Sequence, residues 1–236
     1  MQEIPEIGLV IHDLVGGNSQ YIDEYLAVYE ELLPQYIHYA PVMRRRAENP
    51  LDESAVEKWH QWLMMIEDIP VGIIGFLYNK NRNTAVLLDF AIRTVARKIH
   101  VKDNQRFAEL CLDLAMRQLI RDAQDIGHRA PLCMIAEVEY VSLVEKYKKY
   151  GYVALPLEYF EPPYTPDLLE VSARGEMFDK IEYQRMYVGA FQIPGHPFDP
   201  HSPDIIKTIL LTLLEDHYHL PADHWLVRKM LQEIPV

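Results

Sequence analysis

With only two cysteines in 236 residues, the chain has no disulfide framework. Cys111 and Cys133 each sit in an apolar run that suits a small buried thiol, which points to a reducing compartment. No segment approaches the roughly 18 uninterrupted apolar residues that suggest a bilayer-spanning helix. The start, Met1-Gln2-Glu3-Ile4-Pro5, lacks a basic region leading into an apolar one. A soluble, cytoplasmic protein with no membrane partner is expected. Positive charge is also scarce: 23 Lys and Arg face 35 Asp and Glu, for a formal net charge of −12. That field repels phosphate backbones, so no nucleic-acid partner is expected, and it attracts cations such as amines. Neither a Gly-x-Ser-x-Gly elbow nor a Gly-x-x-x-x-Gly-Lys loop occurs, which leaves serine hydrolases and P-loop enzymes without support.

What is present is enough to build a core. Hydrophobic residues make up 49% of the chain and charged residues 25%. Residues 8–14 read as a first strand closed by Gly16 and Gly17, and residues 21–33 as a helix whose buried face includes Tyr25, Val28 and Tyr29. Arg44, Arg45 and Arg46 read as a solvated, salt-bridged turn. Residues 59–66, 70–78 and 84–95 alternate as three strands joined by short turns, an antiparallel meander. A helix over 104–125 stops at Gly127, and a strand over 132–139 must cross back to lie parallel to its neighbour. A charged helical segment then closes on Tyr147-Lys148-Lys149-Tyr150-Gly151-Tyr152. Residues 168–173 and 187–193 read as further strands. Ser202 and Pro203 open a helix with Ile205, Ile206, Ile209, Leu210, Leu213 and Leu214 at helical spacing.

The order strand, helix, meander, helix, strand, helix, strand, with Tyr147 four residues before the pair Gly151-Tyr152, resembles the GCN5-related N-acetyltransferase (GNAT) superfamily. The resemblance spans roughly residues 6–160. It implies an α+β (α/β) fold of acyl-CoA N-acyltransferase type, with a mixed, mostly antiparallel central sheet flanked by helices. Residues 1–160 would form the acetyltransferase-like core and 161–236 a C-terminal extension packed on it. The implied cosubstrate is acetyl-CoA, and the implied reaction is acetyl transfer to a primary amine of an unidentified acceptor, small molecule or peptide. Acidic charge favours a cationic one.

The resemblance also assigns roles by position. Main-chain groups of Phe90, Ala91 and Ile92, at the end of the third meander strand, would bind the pantetheine arm and thioester. An ordinary buried strand would carry the same residues. The family's phosphate loop reads Arg or Gln, two residues, Gly, one residue, then Gly or Ala, at the start of a helix. Here that region is Val101-Lys102-Asp103-Asn104-Gln105-Arg106-Phe107-Ala108-Glu109-Leu110-Cys111, with Gln105 or Arg106 as the leading polar residue and Glu109 and Leu110 where small residues belong. Either Lys98, Lys102, Arg106 and the amides from Asn104 to Phe107 hold the phosphates in an altered manner, or the cofactor site is lost. In the second case the chain is a non-catalytic module of the same fold that binds a ligand or protein partner.

Tyr147 matches the family's general acid toward the leaving thiolate, and packing is the alternative role for a tyrosine on an amphipathic helix. Asp89, set among Leu87, Leu88, Phe90 and Ala91, is a candidate base, with a pKa that burial would raise if it were unpaired. Glu137 and Glu139, which share a strand face, are the other candidates, and pairing of all three carboxylates with the basic loop at 96–102 is the alternative. The histidine groups at 196–201 and 217–224 lack metal-site spacing, and no metal is expected. A homodimer through an edge strand of the extension stays open.

Overall fold

The computed structural model describes residues 2–101, 105–162 and 184–235. The chain divides into two compact units, one of residues 1–80 with 87–129, the other of 81–86 with 130–236.

In the first unit the strands β1 (Gln2–Ile4), β2 (Leu9–Asp13), β3 (Glu57–Ile66), β4 (Ile69–Asn79) and β5 (Thr84–Ile92, in this unit from Leu87 onward) lie side by side in chain order. The pairs β1–β2, β2–β3 and β3–β4 are antiparallel. Glu67 and Asp68, at φ 50° and 62°, form the two-residue link between β3 and β4. Both sit in the left-handed region that matches the twist of a tight hairpin. Two helices, α1 (Ile22–Leu32) and α2 (Ala40–Glu48), connect β2 to β3. Ile22, Tyr25, Val28 and Tyr29 recur at helical spacing and pack with Leu63, Met65, Ile73 and Ala91 of the sheet. Burying such a cluster supplies about 1.5–3 kcal/mol per large apolar side chain.

Three expectations shift here. Arg44–Arg46 lie in α2 rather than in a turn. Arg44 pairs with Asp23 at 2.6 Å. The third meander strand ends at Ile92 rather than Val95, whose side chain is 71% exposed. The helix expected from 104, here α3, is Phe107–Asp125. It stops at Gly127, whose φ of 89° is the left-handed conformation glycine adopts without strain.

The second unit contains the first residues of β5, β6 (Met134–Val138), α4 (Val141–Lys148), β7 (Tyr152–Ala154), β8 (Tyr159–Glu161), β9 (Gln184–Phe191), α5 (Pro203–Leu211), a π-helical turn (Thr212–His217) and α6 (Trp225–Gln232). Bonds from Leu132 N to Asn83 O (2.7 Å) and from Ala85 N to Cys133 O (2.9 Å) tie the approach to β6 to the start of β5. Strand β9 lies between β6 and β7, antiparallel to both, so this sheet takes a strand from beyond residue 160. Ser202 occupies the N-cap position of α5, yet its side chain makes no capping bond. The strand expected at 168–173 lies outside the described residues. The fold class read from the sequence is the one observed.

Candidate functional site

In the first unit the chemistry gathers where α1 crosses β4 and β5. Alternation along β5 puts Asp89 among apolar neighbours, where it is partly buried. Tyr29 donates to Asp89 Oδ1 at 3.0 Å. Burial pushes the Asp89 carboxyl up to about 6, against the Tyr29 bond and the charge of Arg46, which both favour the anion. The Arg46 guanidinium stacks over the Trp59 ring, 3.2 Å from its centroid. A carboxyl in this condition is ionised at neutral pH, and its conjugate acid is accessible, as a general base requires.

A second cluster in the same unit is fully paired. His60 places Nδ1 2.5 Å from Asp13 Oδ2 and Nε2 2.9 Å from Asp122 Oδ2. Burial lowers its basicity, but the two carboxylates outweigh that and raise its pKa to about 9. Lys58 reaches Asp122 at 2.8 Å. With every partner committed, this cluster is structural.

Of the expected main-chain contacts, Ala91 and Ile92 are buried and Phe90 is partly buried. Arg97 Nε already donates to Ile92 O at 2.8 Å. Lys98 is exposed at the end of a 3-10 turn (Ala96–Lys98). Lys102 and Asn104 lie outside the described residues. Gln105 Nε2 donates to Asp113 Oδ2 at 2.5 Å, so its side chain turns along α3.

At the helix start, Arg106 N donates to Glu109 Oε2 at 2.7 Å and Phe107 N to Ile99 O at 3.1 Å. The Phe107 side chain is buried. Glu109, which breaks the family's loop pattern, thus serves as an internal anion for the N-cap amide of Arg106. An incoming pyrophosphate must displace it. Such an exposed cap is worth about 0.5–2 kcal/mol, against the roughly 4–8 kcal/mol of a millimolar-to-micromolar ligand.

In the second unit, Tyr147 projects from α4 onto Phe191 and Tyr152, with ring centroids 5.4 and 6.1 Å away. Its hydroxyl makes no hydrogen bond among the described residues. Burial, with Tyr150 nearby, pushes this phenol up to about 12.

Glu137 is not similarly free. Tyr159 donates to its Oε1 in a very short bond, and the Tyr218 hydroxyl lies 2.7 Å from Oε2 and 3.0 Å from Glu161 Oε1. The Tyr218 hydroxyl thus bridges two buried carboxyl groups. Burial raises both carboxyl pKa values, Glu161 adding further to the rise at Glu137. Glu139 accepts from Gln184 Nε2 at 3.2 Å. The sequence reading missed Tyr29, Tyr159, Tyr218 and Glu161. Its available signal was that a tyrosine on a buried face needs a hydroxyl partner.

Among the described residues no group of three or more His, Cys, Asp or Glu is placed to hold a metal ion. Among the described residues no helix is long and apolar enough to cross a membrane.

No family model matches the sequence, and no curated protein is significantly similar to it. Among solved structures, a Bacteroides thetaiotaomicron protein assigned to the GNAT family of acetyltransferases matches over 90% of this chain and 99% of its own, at 14% identity and a TM-score of 0.50. A Staphylococcus epidermidis protein assigned as an acetyltransferase matches over 78% of this chain and 98% of its own, at 11% identity and 0.48. A Bacillus subtilis acetyltransferase in complex with CoA matches over 78% and 97%, at 14% identity and 0.43. The first of these shares the architecture of this chain. This chain has the GCN5-related N-acetyltransferase fold.

Proposed function

We propose that the protein transfers the acetyl group of acetyl-CoA to a primary amine, with Asp89 as the base. The observation that carries this reading is the Asp89 carboxyl, raised to about 6 yet held in place by Tyr29. At neutral pH it is an anion able to take a proton, and its anchoring bond fixes Oδ1. The acceptor nitrogen attacks the thioester carbonyl; a C–N bond forms, the C–S bond breaks, and the amine proton passes to Asp89 while CoA leaves as thiolate. The amide and, once protonated, the free thiol are the products.

Glu137 is the weaker choice of base because both its oxygens are engaged by phenols. Tyr147, of the second unit, keeps from the family resemblance alone its candidate role toward a departing thiolate. A phenol at about 12 facing a thiol of about 8.5 would lose about 5 kcal/mol on complete proton transfer. Its role is therefore a hydrogen bond to the thiolate, with the solvent completing protonation. Lys98 and Arg106 supply exposed positive charge for the CoA phosphates, with Lys102 and Asn104 further candidates. Phe90 and Ala91 offer main-chain groups to the pantetheine arm.

The test is calorimetric titration of the full chain with acetyl-CoA. Saturable binding at micromolar to millimolar ligand supports the reading. No heat and no thermal-shift response at about millimolar ligand would leave a non-catalytic module of the same fold, as the carboxylate of Glu109 at the helix start would then explain.

A further inference from the structure

The strand glycines Gly72, Gly75 and Gly189 lie outside the left-handed region, so their backbone conformation does not call for glycine. What a side chain would meet differs among them. A Cβ on Gly72 would fall 2.8 Å from Ala91 O, and one on Gly189 closer still to Val153 O. Both are main-chain contacts, of the kind that lets two backbones approach closely. At Gly75 the three nearest atoms all belong to side chains: Asp89 Oδ2 at 3.0 Å, Asp89 Cβ at 3.5 Å and the Tyr25 hydroxyl at 3.6 Å. The first is too tight for a real Cβ, whereas the other two are ordinary contacts.

Ile73 and Ala91 pack in one cluster with Tyr25 and Tyr29, so the two-residue alternation places Gly75 and Asp89 on that same face, beneath α1. The carboxylate thus faces a residue without a side chain. From the helix side Tyr29 holds its Oδ1 at 3.0 Å. With a methyl added at Gly75 something must yield, and the end of the aspartate side chain yields before a strand does. The other ionisable groups around it are Tyr25 from α1 and Arg46 from α2, with Asp13 of β2 near Tyr25, while β4 adds no charge at Gly75.

We propose that Gly75 is a positioning residue for the base: its bare backbone leaves the Asp89 carboxylate room to lie within reach of the Tyr29 hydroxyl, and a side chain there moves the carboxylate off that bond. This rests on the reading of Asp89 as the base. Strand β4 thereby helps to fix where the acceptor's proton is received, without a side chain of its own.

The deciding experiment follows the Asp89 carboxyl carbon by NMR in the ligand-free full chain, labelled at aspartate, as pH is varied. Asp89→Asn assigns the resonance. Gly75→Ala is expected to raise the Asp89 midpoint by about half to one pH unit, since the added methyl desolvates the anion and disturbs its bond from Tyr29. In a Tyr29→Phe background the same substitution is expected to shift the midpoint by less, the bond being already gone. Ile73→Val, which trims the same layer one alternation away, is expected to leave it in place. A midpoint that stays put or falls in Gly75→Ala, a shift undiminished by Tyr29→Phe, or an equal shift in Ile73→Val overturns the proposal. Failure of Gly75→Ala to fold overturns it too, because the Cβ would then be meeting rigid core rather than a carboxyl that can yield. The titration needs no acetyl-CoA, so failure of the transferase reading would show separately, as absent amine-dependent turnover. In active enzyme Gly75→Ala is expected to lower kcat about tenfold or more, with KM for acetyl-CoA little changed.

Discussion

Tyr29 and Asp89, 60 residues apart in the chain, meet at 3.0 Å where a helix crosses the end of a meander strand. The bond holds a carboxylate in surroundings that disfavour its charge. The fold therefore carries a cost at this position that a structural residue would not need.

That cost is measurable. The folded Asp89 carboxyl titrates near 6, above its ordinary value of 3.8. Its proton-linked stability is complete below the ordinary value and is lost as pH rises through about 6. Asp89→Asn is thus expected to be more stable than wild type at neutral pH, by at most about 3 kcal/mol, and indistinguishable from it near pH 3. Chemical denaturation at the two pH values checks this, and a destabilised variant at neutral pH would count against it.

Glu109 caps α3 with the carboxylate that a pyrophosphate would have to displace. Replacing it with alanine is expected to cost roughly 1 kcal/mol of stability and to tighten CoA binding, since a competing anion is gone. Calorimetry on Glu109→Ala and wild type compares the affinities. Unchanged or weaker binding would place the CoA phosphates away from this helix start.

His60, flanked by Asp13 and Asp122, is expected to stay protonated at neutral pH. Its folded pKa of about 9 exceeds the ordinary 6.5, so its contribution is full below 6.5 and declines as pH rises through about 9. Asp122→Ala removes one partner from a buried pair and is expected to destabilise the chain by about 3–5 kcal/mol. Imidazole NMR shifts and a denaturation series with pH test both statements.

With the Tyr218 hydroxyl between them, Glu137 and Glu161 are expected to share a proton in the folded state. Both carboxyl pKa values are raised by burial, so the contribution of the pair is full below the ordinary carboxylate range and is lost as pH climbs through the raised values. Glu161→Gln, which fixes a proton-bearing group in place, is expected to flatten this decline. An unchanged pH dependence of stability in that variant would show that the pair does not share a proton.

The order of elements was legible because hydrophobic periodicity marks each one and few topologies accommodate that order. Asp89 was legible too, as a carboxylate amid Leu87, Leu88, Phe90 and Ala91. Its neighbours were not: Tyr25 and Tyr29 register only as apolar-face residues, because a pattern along the chain does not tell where a phenol ends. Glu137 read as a candidate base or a partner of the basic loop, because Tyr218 reaches it from 81 residues away. Glu109 stood out as a misfit in a phosphate loop, and the cap that accounts for it required the backbone geometry of Arg106.

The most direct test of acetyl transfer is the release of free CoA thiol from acetyl-CoA by the full chain, with a panel of polyamines, amino sugars and lysine peptides. Amine-dependent release is expected, lowered about 10²–10⁴-fold in Asp89→Asn and by a smaller factor, with KM little changed, in Tyr147→Phe. Thiol release that no amine accelerates, or that Asp89→Asn leaves intact, would contradict the assignment of Asp89 as the base of an N-acetyltransferase.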